Sequence, residues 1–132
     1  MKIIISNSSG IPIYEQIKNQ IISQIMNDEL IENDTIPSIR MLARDIKISV
    51  MTIKKAYDEL EKEGYIKSIQ GKGTFVLKKN TELIREQANK DIESHIFNII
   101  ELANKYNISK EEILDTFEYI YRSDINEEYN WS

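Results

Sequence analysis

Apolar side chains recur at spacings of three and four along most of this chain, and the recurrence breaks where turn residues cluster. Tyr14, Ile17, Ile21, Ile22, Ile25 and Met26 form one wide apolar stripe, which predicts an amphipathic helix. Pro12 stands at its start, where a missing N–H costs nothing. The stripe fades at Asn27-Asp28-Glu29, and Ile31-Glu32-Asn33-Asp34 reads as a loop. Pro37 keeps Ile36 extended. Ser38 is placed to cap a second helix that runs to about Lys47, with Ile39, Leu42, Ala43 and Ile46 on its apolar side. Ile48-Ser49 interrupts the pattern and restarts it. Ser49 caps a third helix whose buried stripe is Ile53, Ala56, Tyr57 and Leu60, and Gly64 follows as a left-handed terminator.

After Gly64 the composition changes. Tyr65-Ile66-Lys67-Ser68-Ile69 and Thr74-Phe75-Val76-Leu77 are rich in β-branched and aromatic residues and flank Gln70-Gly71-Lys72-Gly73, which predicts a β-hairpin with a basic tip. Two helices joined by a tight turn and followed by such a hairpin form a winged helix-turn-helix, assigned to residues 1–79. Lys78-Lys79-Asn80-Thr81 reads as a linker.

Residues 80–132 are expected to be all-helical. Ile84, Ala88, Ile92, Ile96, Ile99 and Ala103 make a long stripe on one helix. Ser109-Lys110-Glu111-Glu112 has the spacing of a capping box, with Ile108 and Ile113 as its hydrophobic staple. The last helix presents Ile113, Leu114, Phe117, Ile120 and Tyr121. Two helices of this size bury too little surface to offset their own ordering. The tail is therefore expected to pair two copies through Ile84, Ala88, Ile92, Ile96, Ile99, Phe117 and Tyr121; the alternative is that it folds back on its own winged helix. The fold class that results is mainly α with a small β-hairpin: a winged helix-turn-helix followed by a short two-helix dimerisation tail.

Charge alters this picture more than composition does. The chain carries a formal net charge of −5, which argues against a nucleic-acid partner if taken whole. It is unevenly spread: residues 1–35 carry a net −3, residues 36–79 a net +5 and residues 80–132 a net −7. Only the surface that meets phosphates has to be basic, and the basic part coincides with the second helix, the third helix and the hairpin. The absence of cysteine excludes disulfides, thiolate zinc sites and cysteine nucleophiles, and His95 alone cannot make a His-rich metal site. No nucleophile–base pair or phosphate loop is visible, so neither an enzyme nor a cofactor is expected. The short apolar run Ile3-Ile4-Ile5 is stopped by Ser6-Asn7-Ser8-Ser9 and is too short for a secretion signal, so a cytoplasmic protein without membrane attachment is expected.

Several spaced signatures carry a family resemblance. Pro12-Ile13-Tyr14-Glu15-Gln16-Ile17, Ile36-Pro37-Ser38-Ile39-Arg40-Met41-Leu42-Ala43, Ile48-Ser49-Val50-Met51-Thr52-Ile53-Lys54-Lys55-Ala56-Tyr57, Leu60-Glu61-Lys62-Glu63-Gly64-Tyr65-Ile66 and Gly71-Lys72-Gly73-Thr74-Phe75-Val76 resemble, in order, the GntR family of bacterial transcription regulators. The short helical tail is similar to that of the YtrA-like subfamily. What the resemblance implies is a DNA-binding regulator, a repressor, acting as a homodimer on an inverted-repeat operator and controlling a transporter operon. Three positions depart from the family: Asn33 lies near a usual Gly, Ile36 replaces Leu, and Val50 stands where many members carry a base-contacting Arg. The last change leaves the recognised sequence open.

Helical geometry selects the contact residues. With Ile53, Ala56, Tyr57 and Leu60 buried, Met51, Lys55, Asp58 and Lys62 point outward and Thr52 and Lys54 flank them, at about 100° per residue. Thr52 and Met51 suit base edges, and Lys54 and Lys55 suit phosphates or a guanine. Matching the family motif adds Arg40, Ser49, Gln70 and Gly71. Ser38 at the start of the second helix and Lys72 at the wing tip complete the DNA-binding set. Gly71 lets the backbone approach a minor groove. Glu61-Lys62-Glu63 reads as solvated surface, Tyr14 as core, and His95 as surface or interface. Tyr119, Tyr121, Tyr129 and Trp131 read as packing, with an aromatic cage for an unidentified small-molecule effector as the alternative. The competing function is a winged-helix module that binds protein without binding DNA.

Overall fold

The computed structural model describes residues 1–125; Tyr129 and Trp131 lie outside the described residues. The chain divides after Lys79 into two compact units.

The first unit contains α1 (Ile13–Met26), β1 (Thr35–Ile36), α2 (Ile39–Ile46), α3 (Val50–Lys62), β2 (Ile66–Ile69) and β3 (Gly73–Val76). Its core takes Ile17, Ile21 and Ile25 from α1, Leu42 and Ala43 from α2, and Ile53, Ala56, Tyr57 and Leu60 from α3. Leu30, Ile36, Ile66 and Val76 close it from the loop and the sheet. These are the stripes read from the sequence, so the helix phases are as expected. Each helix start is chemically marked. Pro12 stands just ahead of α1, and its carbonyl accepts from the N–H groups of Glu15 and Gln16, both at 3.1 Å. Ser38 Oγ accepts from Met41 N–H at 3.1 Å, and Ser49 Oγ accepts from Thr52 N–H at 3.2 Å. Between α2 and α3, Lys47 adopts the left-handed conformation (φ 57°), and Ile48 N–H bonds back to Ala43 O at 3.0 Å. That single residue makes the sharp turn of the helix-turn-helix.

The sheet has three strands, not the two of the expected hairpin. β1 pairs antiparallel with β3, Thr35 opposite Phe75 and Ile36 opposite Thr74, giving the order β1-β3-β2. The loop read at Ile31–Asp34 feeds this ladder: Asn33 N–H donates to Val76 O at 2.8 Å and Val76 N–H to Asp34 O at 2.9 Å. Asn33 sits at φ 73°, a conformation open mainly to Gly and Asn, which accounts for the asparagine near a usual family glycine.

The first residues are also tied down. Gln16, Gln20 and Gln24, one turn apart on α1, bond the main chain of the segment that precedes it. Gln20 exchanges two bonds with Ile4, donating to its carbonyl at 2.6 Å and accepting from its N–H at 2.8 Å. Gln16 does the same with Ser6, at 2.8 and 2.9 Å, and also reaches Ile11 O at 2.8 Å. Gln24 donates to Lys2 O at 2.8 Å. Ile3 and Ile5 thereby pack on the core.

The second unit holds α4 (Thr81–Lys105) and α5 (Lys110–Ile125). The linker ends earlier than expected, because Asn80 caps α4 by accepting from Leu83 N–H at 3.1 Å. At the α5 start the capping box closes in both directions: Ser109 N–H donates to Glu112 Oε2 at 2.9 Å, and Glu112 N–H donates to Ser109 Oγ at 3.2 Å. Side chains of both helices, Ile99 and Ala103 from α4 and Ile113, Phe117 and Ile120 from α5, line an apolar groove of about 350 Å³. Among the described residues, no helix is long and apolar enough to cross a membrane.

Candidate nucleic-acid interface

Burial of Ile53, Ala56, Tyr57 and Leu60 fixes the rotation of α3, so its other side faces outward. Met51 is 73% exposed, and Lys54, Lys55 and Asp58 are exposed beside it. Thr52 is half-buried, and its hydroxyl lies 2.8 Å from Ser49 Oγ. The Lys54 ammonium donates to Asp58 Oδ2 at 2.7 Å, one turn further along. Lys55 leans the other way, with Nζ 3.9 Å from the centroid of the Tyr14 ring, an attraction between cation and ring quadrupole. Tyr14 is therefore half in the core and half a platform for Lys55, where the sequence suggested core alone.

Around α3 lie the other candidates. Ser38 and Arg40 are exposed at the start of α2. Gln70, Gly71 and Lys72 are exposed at the turn between β2 and β3. Gly71 (φ 79°) and Gly73 (φ 118°) take conformations that side chains disfavour, so the glycines here serve the tight turn. A Cβ at Gly71 would meet no atom within 4 Å, which leaves the tip open to an approaching partner.

A second anchor comes from Tyr57, whose hydroxyl donates to Pro37 O at 2.7 Å and ties α3 to the α2 entry. Burial pushes this phenol well above its usual pKa, so it stays a donor.

The acidic residues of α3 are largely occupied elsewhere. Lys18 of α1 pairs with Glu59 at 3.0 Å and with Glu63. Desolvation alone would lower the Lys18 pKa, but hydrogen bonds and charge attraction from Glu63 and Glu59 raise it above its usual value. Glu61 accepts from Ser68 N–H at 2.7 Å. Glu61, Lys62 and Glu63 are exposed, as read from the sequence, and the two glutamates also hold partners: one pins β2 to α3, the other pins α1. With these carboxylates turned toward α1 and the hairpin, the outer face of α3 keeps Lys54 and Lys55, and Asp58 is the carboxylate lying among them. Among the described residues there is no cluster of three or more metal-ligating groups.

In the second unit the tail residues of the expected stripe are mostly uncovered. Ile92, Ile96, Ile99, Phe117 and Tyr121 are all exposed, as is Ala88, and Ile84 is half-buried. Phe117 and Tyr121 stack on each other with centroids 5.6 Å apart. His95 and Tyr119 are exposed.

A family model described as bacterial regulatory proteins, gntR family, matches residues 13–76, about half the chain and the whole span from α1 to β3. YtrA from Sulfolobus acidocaldarius, described as a GntR-family transcription factor, is 34% identical, with 96% of this chain and 99% of that one covered and a TM-score of 0.52. This chain belongs to the gntR family. It is YtrA-like within it: the transcriptional repressor YtrA of Bacillus subtilis is 41% identical over 52% of this chain and 52% of its own length. The DNA-binding domain of AraR, solved in complex with its operator ORX1, is 30% identical, covers 58% of this chain and 95% of its own, and has a TM-score of 0.51. Members of the gntR family are DNA-binding transcription regulators rather than enzymes, and this chain is one of them.

Proposed function

We propose that this gntR-family regulator is a repressor that binds an inverted-repeat operator as a homodimer, reading bases with α3 and tracking the backbone with α2 and the wing. The observation that carries this reading is the outer face of α3, where Met51, Thr52, Lys54 and Lys55 surround the helix start that a major groove accepts. Met51 and Thr52 meet base edges, Thr52 by its hydroxyl and Met51 by apolar contact with thymine methyls. Lys54, Lys55, Ser38, Arg40 and Ser49 bind phosphates or guanine, and Gln70, Gly71 and Lys72 reach the adjacent minor groove. Val50, where an arginine is common, gives this face an apolar corner and hence a different base preference.

Residues 1–79 serve as the DNA-binding domain and residues 80–132 as the dimerisation tail. The exposed apolar side chains of α4 and α5 support pairing, since Ile92, Ile96, Ile99, Phe117 and Tyr121 leave an apolar surface in need of a partner. A two-fold dimer with one recognition helix per chain needs half-sites about 34–36 Å apart. By likeness to the YtrA-like group, the regulated genes are those of a transporter operon, and the protein acts in the cytoplasm, where the chromosome is accessible. Selection of bound duplexes from a random pool, with molar mass measured in solution, tests the whole reading. A palindromic consensus and a dimer mass are the expected results. Failure to enrich any sequence overturns it in favour of a module that binds protein.

A further inference from the structure

Asp58 occupies an unexpected place for a carboxylate. It lies on the same outward line of α3 as Met51, two turns along, and its side chain is 60% exposed. Glu59 and Glu61 on the same helix, and Glu63 just past its end, are all engaged with α1 or the hairpin, whereas Asp58 holds the ammonium of Lys54 at 2.7 Å. A free lysine on a groove-facing helix neutralises any phosphate within reach, which strengthens binding to every sequence alike. A carboxylate one turn away competes for that ammonium as a built-in substitute for phosphate.

We propose that Asp58 is a specificity-determining residue, which withholds Lys54 from the backbone of non-operator DNA and thereby suppresses sequence-independent binding. This rests on the reading of α3 as the DNA-facing helix. In the free protein the pair is closed. On an arbitrary duplex, Lys54 gains a phosphate only by leaving Asp58 bare beside other phosphates, so the exchange is nearly neutral. At the correct operator, contacts by Met51 and Thr52 offset the opening of the pair and release Lys54 to its phosphate or guanine. Asp58 acts through Lys54 as a positioning residue and touches no base in this scheme.

The test needs no knowledge of the operator. Binding of the full chain to a duplex of arbitrary sequence, about 30 base pairs long, is followed by fluorescence anisotropy as salt is raised. Asp58→Asn is expected to steepen the log–log salt slope by about one unit, the signature of one added phosphate contact. Between 50 and 200 mM salt that adds about a 3.5-fold loss of affinity to the loss seen for the unaltered protein. In a Lys54→Ala background the same substitution is expected to leave the slope unchanged. An unchanged slope for Asp58→Asn alone overturns the proposal. So does equal steepening with and without Lys54, since Asp58 would then act by plain repulsion. If the unaltered protein binds no duplex at any salt concentration, the DNA-facing reading of α3 fails, and the proposal fails with it.

Discussion

Ser49 offers a way to separate folding from binding at one atom. Its Oγ accepts from Thr52 N–H at 3.2 Å and sits 2.8 Å from the Thr52 hydroxyl, so it caps α3 and steadies a proposed base-reading side chain. Ser49→Ala removes the cap, which costs about 1 kcal/mol. In a folding unit of this size such a loss lowers Tm by roughly 4–8 °C. Ser49→Asp behaves oppositely in the two measurements. Aspartate caps as well as serine, and its charge is favourable at a helix N-terminus, so Tm is expected to stay within about 2 °C of the unaltered protein. If the α3 start seats against DNA with the new carboxylate about 6 Å from a phosphate, the repulsion costs roughly 1–3 kcal/mol at effective dielectric constants between about 20 and 80. Duplex binding should therefore weaken by roughly fivefold to a hundredfold. Melting by circular dichroism and anisotropy titration at 20 °C supply the two readings. A Ser49→Asp protein that melts normally and binds DNA as tightly as before refutes the placement of the α3 start against DNA.

Three further outcomes are expected. Tyr57→Phe leaves the Pro37 carbonyl without its donor and costs about 1 kcal/mol, read from the urea midpoint. Because burial raises the Tyr57 pKa in the folded state, its stabilising share is complete below about pH 10, the unfolded value, and is lost as pH rises toward the folded one. Stability of Tyr57→Phe should accordingly fall less steeply than that of the unaltered protein above pH 10; parallel curves contradict this. Lys47→Gly relieves a left-handed lysine and should raise stability by about 1 kcal/mol, seen as a higher urea midpoint at unchanged slope. Gln16→Ala should speed amide hydrogen exchange at Ser6, whose N–H it accepts at 2.9 Å, while exchange in α3 keeps its rate.

The helices were legible because each buried stripe repeats with the period of the helix, and Ser38 and Ser49 announce their caps by type and position. The phase of α3 followed directly, and with it the outward direction of Met51, Lys54 and Lys55. What escaped the sequence has a common cause. β1 is two residues long, too short for a period-two pattern, and its partner lies in β3, about forty residues away. Glu63 and Glu59 look solvated until Lys18 is brought beside them from α1. Glu61 meets a main-chain N–H, which no side-chain pattern marks. The glutamines of α1 bond main chain in the same way. Sequence exposes the periodicity of burial; it hides polar partners that are distant in the chain or belong to the backbone.

The ladder of Gln16, Gln20 and Gln24 bears on how this winged helix can be moved between proteins. The stretch shared across the family begins at residue 13, and a chimaera cut there would discard the strands of main chain these amides grip and strip Ile3 and Ile5 from the core. Three amide side chains would turn to water, and apolar surface on α1 would be laid bare, inviting aggregation. A portable reading head made from this protein should therefore start at Met1, because its opening dozen residues belong to the same folded body as the helix that follows them.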